Sequence, residues 1–283
     1  MKKIVITGSS GFIATSLISK LTDLDFEVLC IYNIKKPIIL KSKNIKFKKI
    51  DIYSKCDNWF EKLNRPDYLI HLAWNKLDDY KDRYHLNFVL PFQILFLENL
   101  IINGLKNLFI SGTCFEYGKI EGMLSENMKA KPDNNYAKSK VLLYDKIISL
   151  KRSNNFNLIW GRLFYIYGVN QKRTIYSNLL NSIKKNEKYF KMSKGMQKRD
   201  YLSIDRVADY ILSLSTSSMD IGIINICSGK AVNLLEIVNG WINDLNSKIN
   251  ILPGHFPYND YEAMSFWGSN TKLLKFLKKN ISK

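Results

Sequence analysis

The chain has 283 residues, of which 46% are hydrophobic and 24% charged, and its formal net charge at pH 7 is +18. This length and hydrophobic content allow a large folded core and exclude a mainly disordered protein. The lysines are scattered singly or in pairs and form no long basic tract. The charge alone favours an anionic partner, which could be nucleic acid, a membrane surface or a phosphorylated small molecule, or else reflects a simple preference for lysine at the surface. The scattered lysines form no recognisable nucleic-acid-binding module, so we expect neither nucleic acid nor a membrane as partner.

The four cysteines are widely separated and form no CxxC pair: Cys30, Cys56, Cys114 and Cys227. Their spacing predicts neither a metal site nor a disulfide framework, and it fits a reducing cytoplasm. The apolar run near Met1 is interrupted at Thr7, and no run approaches the roughly 18 apolar residues of a membrane span. We therefore expect a cytoplasmic protein without a signal peptide, a membrane attachment or a bound metal.

Short runs rich in β-branched residues recur along the chain and are predicted as strands. They cover residues 2–7, 28–32, 46–52, 68–73, 108–111, 159–163 and 223–227. Segments of helical length separate most of them, which is the alternation typical of a parallel sheet with helices on both faces. The sequence therefore predicts an α/β protein with a doubly wound parallel sheet of Rossmann type.

The segment TGSSGFIA follows the first predicted strand and opens a predicted helix. Gly8 and Gly11 allow the backbone to turn tightly and to approach a pyrophosphate, whose charge is met by the amides at the helix N-terminus. Strand, turn and helix occur in the required order. The segment therefore predicts dinucleotide binding through Gly8, Ser10, Gly11, Phe12 and Ile13.

The end of the second predicted strand bears on the choice of dinucleotide, because a carboxylate there hydrogen-bonds the ribose of NAD. This chain has Asn33 and Lys35 at that point and no acid, so NADPH is the predicted cofactor and NADH the alternative. Asp51 and Ile52 follow the third predicted strand. They are candidate adenine contacts, although an ordinary polar strand end has the same appearance.

Two predicted helices are unusually apolar. Residues 87–102 are apolar around almost the whole helical circumference, and residues 136–150 are apolar on a broad face. A helix of this kind is buried on two sides, against its own sheet and against a second layer. We expect the equivalent helices of a partner to supply that layer in a homodimer. The alternative is burial beneath the chain's own C-terminal segments.

Tyr136 and Lys140 lie one helical turn apart in the segment YAKSK and share a helix face. The unperturbed pKa of a phenol, about 10, is too high for efficient proton transfer at neutral pH, and a neighbouring ammonium stabilises the phenolate. After a phosphate turn and five strands, this pair predicts a catalytic phenol assisted by a lysine that also holds the nicotinamide ribose.

Short motifs occur in a characteristic order along nearly the whole chain: TGSSGFIA, DI, HLAW, SGTCFEYG, YAKSK, GRLFYIYG, KRDYLSIDRVA and NICSG. In these motifs the chain resembles the extended short-chain dehydrogenase/reductase family, in the branch that acts on nucleotide sugars. The resemblance implies a cofactor-binding Rossmann domain, residues 1–168 and 204–227. It also implies a smaller C-terminal domain, residues 169–203 and 228–283, that binds a nucleotide-diphosphate sugar.

The resemblance also implies roles for individual residues. Thr113 would be the third catalytic residue, its hydroxyl holding the sugar oxygen beside Tyr136. Arg199 would bind the substrate's phosphates, Asn178 its nucleotide, and Tyr165 stands where the family often has Asn, so the pyrophosphate would be held differently. The further cofactor-binding positions implied are Leu72, Ala73, Trp74, Asn87, Ser111 and Phe164, together with Tyr136 and Lys140.

Residues after Thr113 separate the chemistries of this branch. Dehydratases have Asp and Glu there, because elimination of water needs an acid and a base, whereas this chain has Cys114 and Phe115. Epimerase-reductases of the GDP-fucose synthase type place a cysteine where Phe115 stands. The motifs most resemble reductases of nucleotide-diphosphate 4-keto-6-deoxyhexoses, such as CDP-abequose and dTDP-6-deoxytalose synthases, which implies NADPH-dependent reduction at C4 for surface-polysaccharide sugars.

Two other functions stay open at this point. One is a nucleotide-sugar 4-epimerase with tightly bound NAD, and the other is a non-catalytic dinucleotide sensor, which would not need Thr113, Tyr136 and Lys140 together. His85 is expected at the surface or in a loop. Glu116 is expected to hydrogen-bond either the sugar or its own loop.

Overall fold

The computed structural model describes residues 1–22, 24–37, 42–258 and 263–281. Its strands are β1 (Lys2–Thr7), β2 (Phe26–Tyr32), β3 (Ile45–Lys49), β4 (Tyr68–His71), β5 (Asn107–Thr113), β6 (Gly122–Leu124), β7 (Asn157–Leu163), β8 (Tyr165–Tyr167), β9 (Tyr189–Lys191), β10 (Lys198–Arg199), β11 (Tyr201–Ser203), β12 (Gly222–Ile226), β13 (Val232–Asn233), β14 (Asn250–Leu252) and β15 (Phe266–Gly268). Its α-helices are α1 (Phe12–Lys20), α2 (Trp59–Lys62), α3 (Leu90–Ile102), α4 (Asn135–Leu150), α5 (Ile175–Lys184), α6 (Ile204–Ser215), α7 (Leu234–Asp244) and α8 (Thr271–Ile281). A π-helical turn (His85–Val89) precedes α3, and a 3-10 turn (Cys114–Tyr117) follows β5.

A seven-stranded parallel sheet organises the fold, with strand order β12-β7-β5-β4-β1-β2-β3. Each of the seven predicted strands corresponds to one strand of this sheet, so the predicted doubly wound α/β fold is confirmed. The strand order reverses at β1, which lies between β4 and β2. Ligands of such sheets bind at the carboxyl ends of the strands beside this reversal.

The strands are apolar because both faces of the sheet are covered. Along β1 the side chains of Ile4 and Ile6 enter the core beneath α1 and α6, whereas Val5 enters the core beneath α3 and α4. All three are at most 1% exposed. The period-2 alternation of a strand thus distributes one short apolar run between two cores.

The helix that was predicted to be apolar all round is buried on one side. Among the described residues, the segment His85–Ile102 alone is long and apolar enough to cross a membrane, with a mean hydropathy of 1.5, and 44% of it is buried within the chain. Phe96 and Leu97 point into the core, while Leu95 of α3 and Leu142 of α4 stay about half exposed. Each of the two helices therefore leaves apolar side chains uncovered by the chain itself.

The C-terminal segments form a smaller core of their own. Phe190 of β9, Trp241 of α7 and Leu179 of α5 pack there, in a cluster separate from the two cores on the faces of the sheet. The predicted domain boundaries stay a prediction. One detail differs from them: α8 was assigned to the substrate domain, yet Leu273 and Phe276 pack in the core beneath α1 and α6.

Candidate active site

The turn after β1 has the geometry of a phosphate cradle. Gly8 has a φ of +68°, and a Cβ placed there would lie 2.8 Å from the backbone of Ala73, so no other residue fits. The amide of Gly11 donates to the carbonyl of Gly8 at 2.9 Å, and Gly11 caps α1 without any side-chain hydrogen bond to its first turn. The first-turn amides that begin at Phe12 are thus left for an anionic ligand. These residues fit the pyrophosphate of a dinucleotide.

The end of β2, where the cofactor ribose is predicted to bind, has a carboxylate nearby that was not expected. Asn33 and Lys35 are exposed there, as is Ser10 in the neighbouring turn. However, the Asn33 side-chain amide donates to Oδ1 of Asp51 at 3.1 Å. The expectation that no carboxylate stands at this point is therefore wrong, because the fold brings one from the end of β3. Ile52 beside it is buried.

A buried polar network fixes the loop after β4. His71 is fully buried; its Nδ1 accepts from the Thr7 hydroxyl at 2.9 Å, and its Nε2 donates to the side-chain carbonyl of Gln93. Burial, aided by the nearby Lys140 ammonium, lowers the pKa of His71 to about 3, so the ring is neutral. The Ala73 amide donates to the Thr7 hydroxyl at 3.3 Å, which holds the 72–73 backbone against the phosphate turn.

The predicted catalytic residues meet at the ends of β5 and α4. The side chain of Asn134 caps α4 by accepting from the Ala137 amide at 2.9 Å, and the helix that follows turns Tyr136 and Lys140 toward β5. Both are buried, with Lys140 only 1% exposed. The Tyr136 phenol is hydrogen-bonded to the side chain of Thr113.

Lys140 does not face the phenol in the way the sequence suggested. Its Nζ donates to the carbonyl oxygen of Ser111 at 2.7 Å and lies 5.9 Å from the centre of the Tyr136 ring. Burial raises the pKa of Tyr136 well above its usual value, against a smaller lowering by the hydrogen bond to Thr113. The phenol is therefore protonated at neutral pH and able to donate its proton.

Burial has the opposite effect on the lysine. It lowers the pKa of Lys140 to about 7, and the carboxylate of Glu116 acts weakly in the other direction. Lys140 therefore changes charge within the physiological range.

An aromatic wall surrounds Tyr136. Tyr80 stacks on it with ring centres 5.1 Å apart, Trp74 meets it edge-on at 5.7 Å, and the His85 ring lies at 5.5 Å. Sequence reasoning missed Tyr80, and the expectation that His85 is a surface or loop residue is wrong because the π-helical turn carries it inward. The sequence signal for the burial of His85 is its position just ahead of a long apolar run.

Glu116 faces the protein interior, which resolves the question left open for it. Its carboxylate accepts from the Thr113 amide at 2.8 Å, from Nε1 of Trp160 at 3.0 Å and from Nε of Arg162 at 2.7 Å. Glu116 and Arg162 form an ion pair with side chains 1% and 4% exposed. Glu116 thus supports the backbone of Thr113 from the protein interior.

Of the predicted substrate-binding residues, Arg199 and Tyr165 lie close to each other. The guanidinium of Arg199 lies over the ring of Phe266 at 4.7 Å and within 5.8 Å of the Tyr165 ring. Its Nη1 donates to the carbonyl oxygens of Lys198 and Met264. Tyr165 also packs against Phe115 near the catalytic residues, with ring centres 6.5 Å apart.

Three further residues that were predicted to contact the cofactor or the substrate lie apart from Thr113, Tyr136 and Lys140 in the contacts that the structure gives. Asn178 on α5 and Asn87 in the π-helical turn are both exposed. No contact described for these two joins them to Thr113, Tyr136 or Lys140. Phe164 is buried and packs against Tyr117, with ring centres 6.4 Å apart.

Comparison with known proteins agrees with this geometry. Residues 4–227 match the family model described as "NAD dependent epimerase/dehydratase family". The dTDP-6-deoxy-L-talose 4-dehydrogenase (NAD(+)) of Aggregatibacter actinomycetemcomitans is 27% identical over 270 residues, covering 94% of this chain and 99% of that protein.

Two solved structures share the fold. UDP-N-acetylglucosamine 4-epimerase from Methanobrevibacter ruminantium M1, in complex with UDP-N-acetylmuramic acid, aligns with a TM-score of 0.83 at 21% identity, over 97% of this chain and 91% of that one. MoeE5 in complex with UDP-glucuronic acid and NAD aligns with a TM-score of 0.81 at 18% identity, over 98% and 92%. The family resemblance predicted from the motifs is confirmed.

Proposed function

The chain belongs to the NAD dependent epimerase/dehydratase family, and we propose that it reduces the C4 keto group of a nucleotide-diphosphate 4-keto-6-deoxyhexose with NADPH. The observation that carries this proposal is the buried cluster of Thr113, Tyr136 and Lys140, next to which Cys114 and Phe115 stand in place of the acids needed for dehydration. The relative named as a dTDP-6-deoxy-L-talose 4-dehydrogenase supports the same substrate class. We place the reaction in cytoplasmic synthesis of sugars for surface polysaccharides.

A dinucleotide held by the turn of Gly8 and Gly11 would supply the hydride for the sugar C4. Tyr136 donates its phenolic proton to the C4 oxygen, which its raised pKa allows at neutral pH. Thr113, hydrogen-bonded to that phenol, orients the same oxygen. The ammonium of Lys140 stabilises the phenolate that remains until solvent returns the proton.

The cofactor preference is a separate part of the proposal. Lys35 and Lys36, both exposed beyond the end of β2, support NADPH because their ammonium groups attract a 2′-phosphate. Asp51, hydrogen-bonded to Asn33, opposes a 2′-phosphate and favours NADH as the alternative. Initial rates with the two cofactors at equal concentration decide between them.

A nucleotide-sugar 4-epimerase is the second candidate. It is favoured by the carboxylate of Asp51 at the ribose-binding end of β2, which suits a retained NAD. A dinucleotide sensor has less support, because it has no need of the buried catalytic cluster. We further propose that the half-exposed apolar face of α3 and α4, which includes Leu95 and Leu142, forms a homodimer interface.

The test uses purified protein and CDP-, dTDP-, GDP- and UDP-linked 4-keto-6-deoxyhexoses, with NADPH or NADH consumption followed at 340 nm. We expect oxidation of NADPH with at least one sugar, and its loss in Tyr136→Phe while cofactor binding persists. No oxidation with any sugar would contradict the reductase. Interconversion of C4 epimers without added reductant, and NAD released on denaturation, would establish the epimerase instead.

A further inference from the structure

Lys140 has two close neighbours for its buried ammonium. One is the carbonyl oxygen of Ser111, which accepts a hydrogen bond from Nζ at 2.7 Å. The other is the face of Trp74, whose ring centre lies 3.9 Å from the same nitrogen. That distance is well inside the roughly 6 Å at which the negative face of an indole attracts a cation. The Trp74 ring is itself buried, being 9% exposed.

We infer that Trp74 is a positioning residue, whose indole face keeps the Lys140 ammonium charged and in place beside Tyr136, and that His85 fixes the plane of that indole. The catalytic consequence rests on the proposed function. The effect of Trp74 on the charge of Lys140 does not depend on the proposed function.

The orientation of Trp74 is set by a short hydrogen-bonded chain. Nε1–H of Trp74 donates to Nδ1 of His85 at 3.1 Å, and Nε2 of His85 lies 2.9 Å from the carbonyl oxygen of Asp79. An indole N–H only donates and a carbonyl only accepts, so the neutral His85 must carry its proton on Nε2. The chain thereby locks both the histidine tautomer and the indole plane.

The same indole touches both catalytic partners. Its face is turned to Lys140, and its ring meets that of Tyr136 edge-on, with 5.7 Å between centres and an interplanar angle of 73°. A ring held in this orientation sets the position of the ammonium relative to the phenol. Trp74 was predicted as a direct cofactor contact, and its burial beneath Lys140 indicates a different task.

The other charged and titratable groups around Lys140 offer it little compensation for burial. His71 lies on β4 and stays neutral, since its pKa is lowered to about 3. Tyr136 lies on the same helix and stays protonated because its pKa is raised. Glu116 after β5 is anionic and already paired with Arg162. The Ser111 carbonyl oxygen and the indole face are therefore the two contacts that stabilise the charged form, and of these only the indole belongs to a side chain that can be replaced.

The direct test measures the charge of Lys140 by NMR, in protein labelled with [ε-13C]lysine. The Lys140 signal is identified by its loss in Lys140→Arg, and it is separated from surface lysines by titrating near pH 7 rather than near 10.5. A cation–π contact of the usual strength corresponds to a pKa change of about one unit, so Trp74→Leu should lower the Lys140 midpoint by about that much. Trp74→Phe, which keeps a weaker aromatic face, should give a smaller decrease.

The histidine is tested by a matched pair. His85→Gln keeps an acceptor for the indole and a donor for the Asp79 carbonyl, and should leave the Lys140 midpoint unchanged. His85→Leu removes both and should lower the midpoint. An unchanged midpoint in Trp74→Leu, with circular dichroism showing a folded protein, would overturn the inference. If Trp74→Leu unfolds, the other two variants decide. Lys140 midpoints that are unchanged in both Trp74→Phe and His85→Leu would then overturn the inference.

The catalytic consequence is read from the pH dependence of kcat/KM, and it is separable from the proposed function because the NMR result stands even if no sugar is reduced. A downward shift of one pH unit in the Lys140 midpoint leaves about tenfold less charged lysine at pH values above both midpoints. Trp74→Leu should therefore lose about tenfold in kcat/KM at pH 8.5 and recover on acidification. A loss equal at every pH would indicate structural damage and contradict the positioning role.

Discussion

Replacing Glu116 by glutamine should destabilise the fold strongly while leaving its shape intact. The carboxylate accepts from Nε of Arg162, Nε1 of Trp160 and the Thr113 amide, at 2.7 to 3.1 Å, with both charged side chains at most 4% exposed. In Glu116→Gln the side-chain carbonyl can still accept from the amide of Thr113. The amide nitrogen, however, then faces the Arg162 guanidinium, and that cation is left buried without a counter-charge.

The magnitude follows from this burial. Breaking one partner of a buried ion pair costs about 3–5 kcal/mol, because the remaining charge is uncompensated. The pair Lys146–Glu98, with side chains 35% and 28% exposed and a comparable N–O distance of 2.6 Å, provides the matched control. Glu98→Gln should cost no more than about 1 kcal/mol, since an exposed pair is screened by solvent.

The assay is urea unfolding at pH 7.5, followed by circular dichroism, for the wild type, both glutamine variants, and Glu116→Leu combined with Arg162→Met. The double variant should recover part of the loss, since replacing both buried charges by apolar groups removes the uncompensated cation. A free energy of unfolding for Glu116→Gln within about 1 kcal/mol of the wild type would refute the reasoning. So would an equal loss in Glu98→Gln.

Two further predictions concern the turn after β1 and Lys140 on α4. Gly8→Ala should abolish dinucleotide binding and lower the melting temperature, because its Cβ would meet the Ala73 backbone at 2.8 Å. Gly122→Ala, at a φ of +94° with open space around it, should cost only the local backbone strain. Cofactor fluorescence and thermal unfolding measure both, and equal effects of the two variants would contradict the close approach. Lys140→Met should be more stable than the wild type at pH 6, at roughly 1.4 kcal/mol per unit of pKa shift. The unfolded lysine binds more protons between pH 7 and 10.5, so wild-type stability rises across that window; the Met variant should lack this rise in urea midpoints, and identical slopes would count against the lowered pKa.

The strands and the phosphate turn could be predicted from the sequence because both depend on local patterns. In the strand at residues 2–7 the buried stretch Ile4–Ile6 is continuously apolar, and Gly8 and Gly11, which follow the strand, predict a tight turn before a helix. The pairing of Tyr136 with Lys140 is equally local, since four residues span one helical turn. These features need no knowledge of which strand lies beside which.

The charges and hydrogen bonds of the site depended on contacts between distant parts of the chain. Glu116 and Arg162 are 46 residues apart, and they meet because β5 and β7 are neighbours in the sheet. Asp51 reaches Asn33 because β3 pairs with β2. No pattern within either segment specifies the partner, so the sequence alone left the role of Glu116 open and misjudged the carboxylate near the ribose site.

The sequence by itself thus determined the fold class and the family, and it predicted where a dinucleotide would bind and which phenol would act in catalysis. Only the tertiary structure decided the electrostatic state of that phenol and its lysine. Burial raises the pKa of Tyr136 and lowers that of Lys140, and both directions follow from the desolvation of a charged form when helix, strand and π-helical turn close around it. Desolvation is a property of the assembled packing around a group, which is why local sequence patterns do not reveal it.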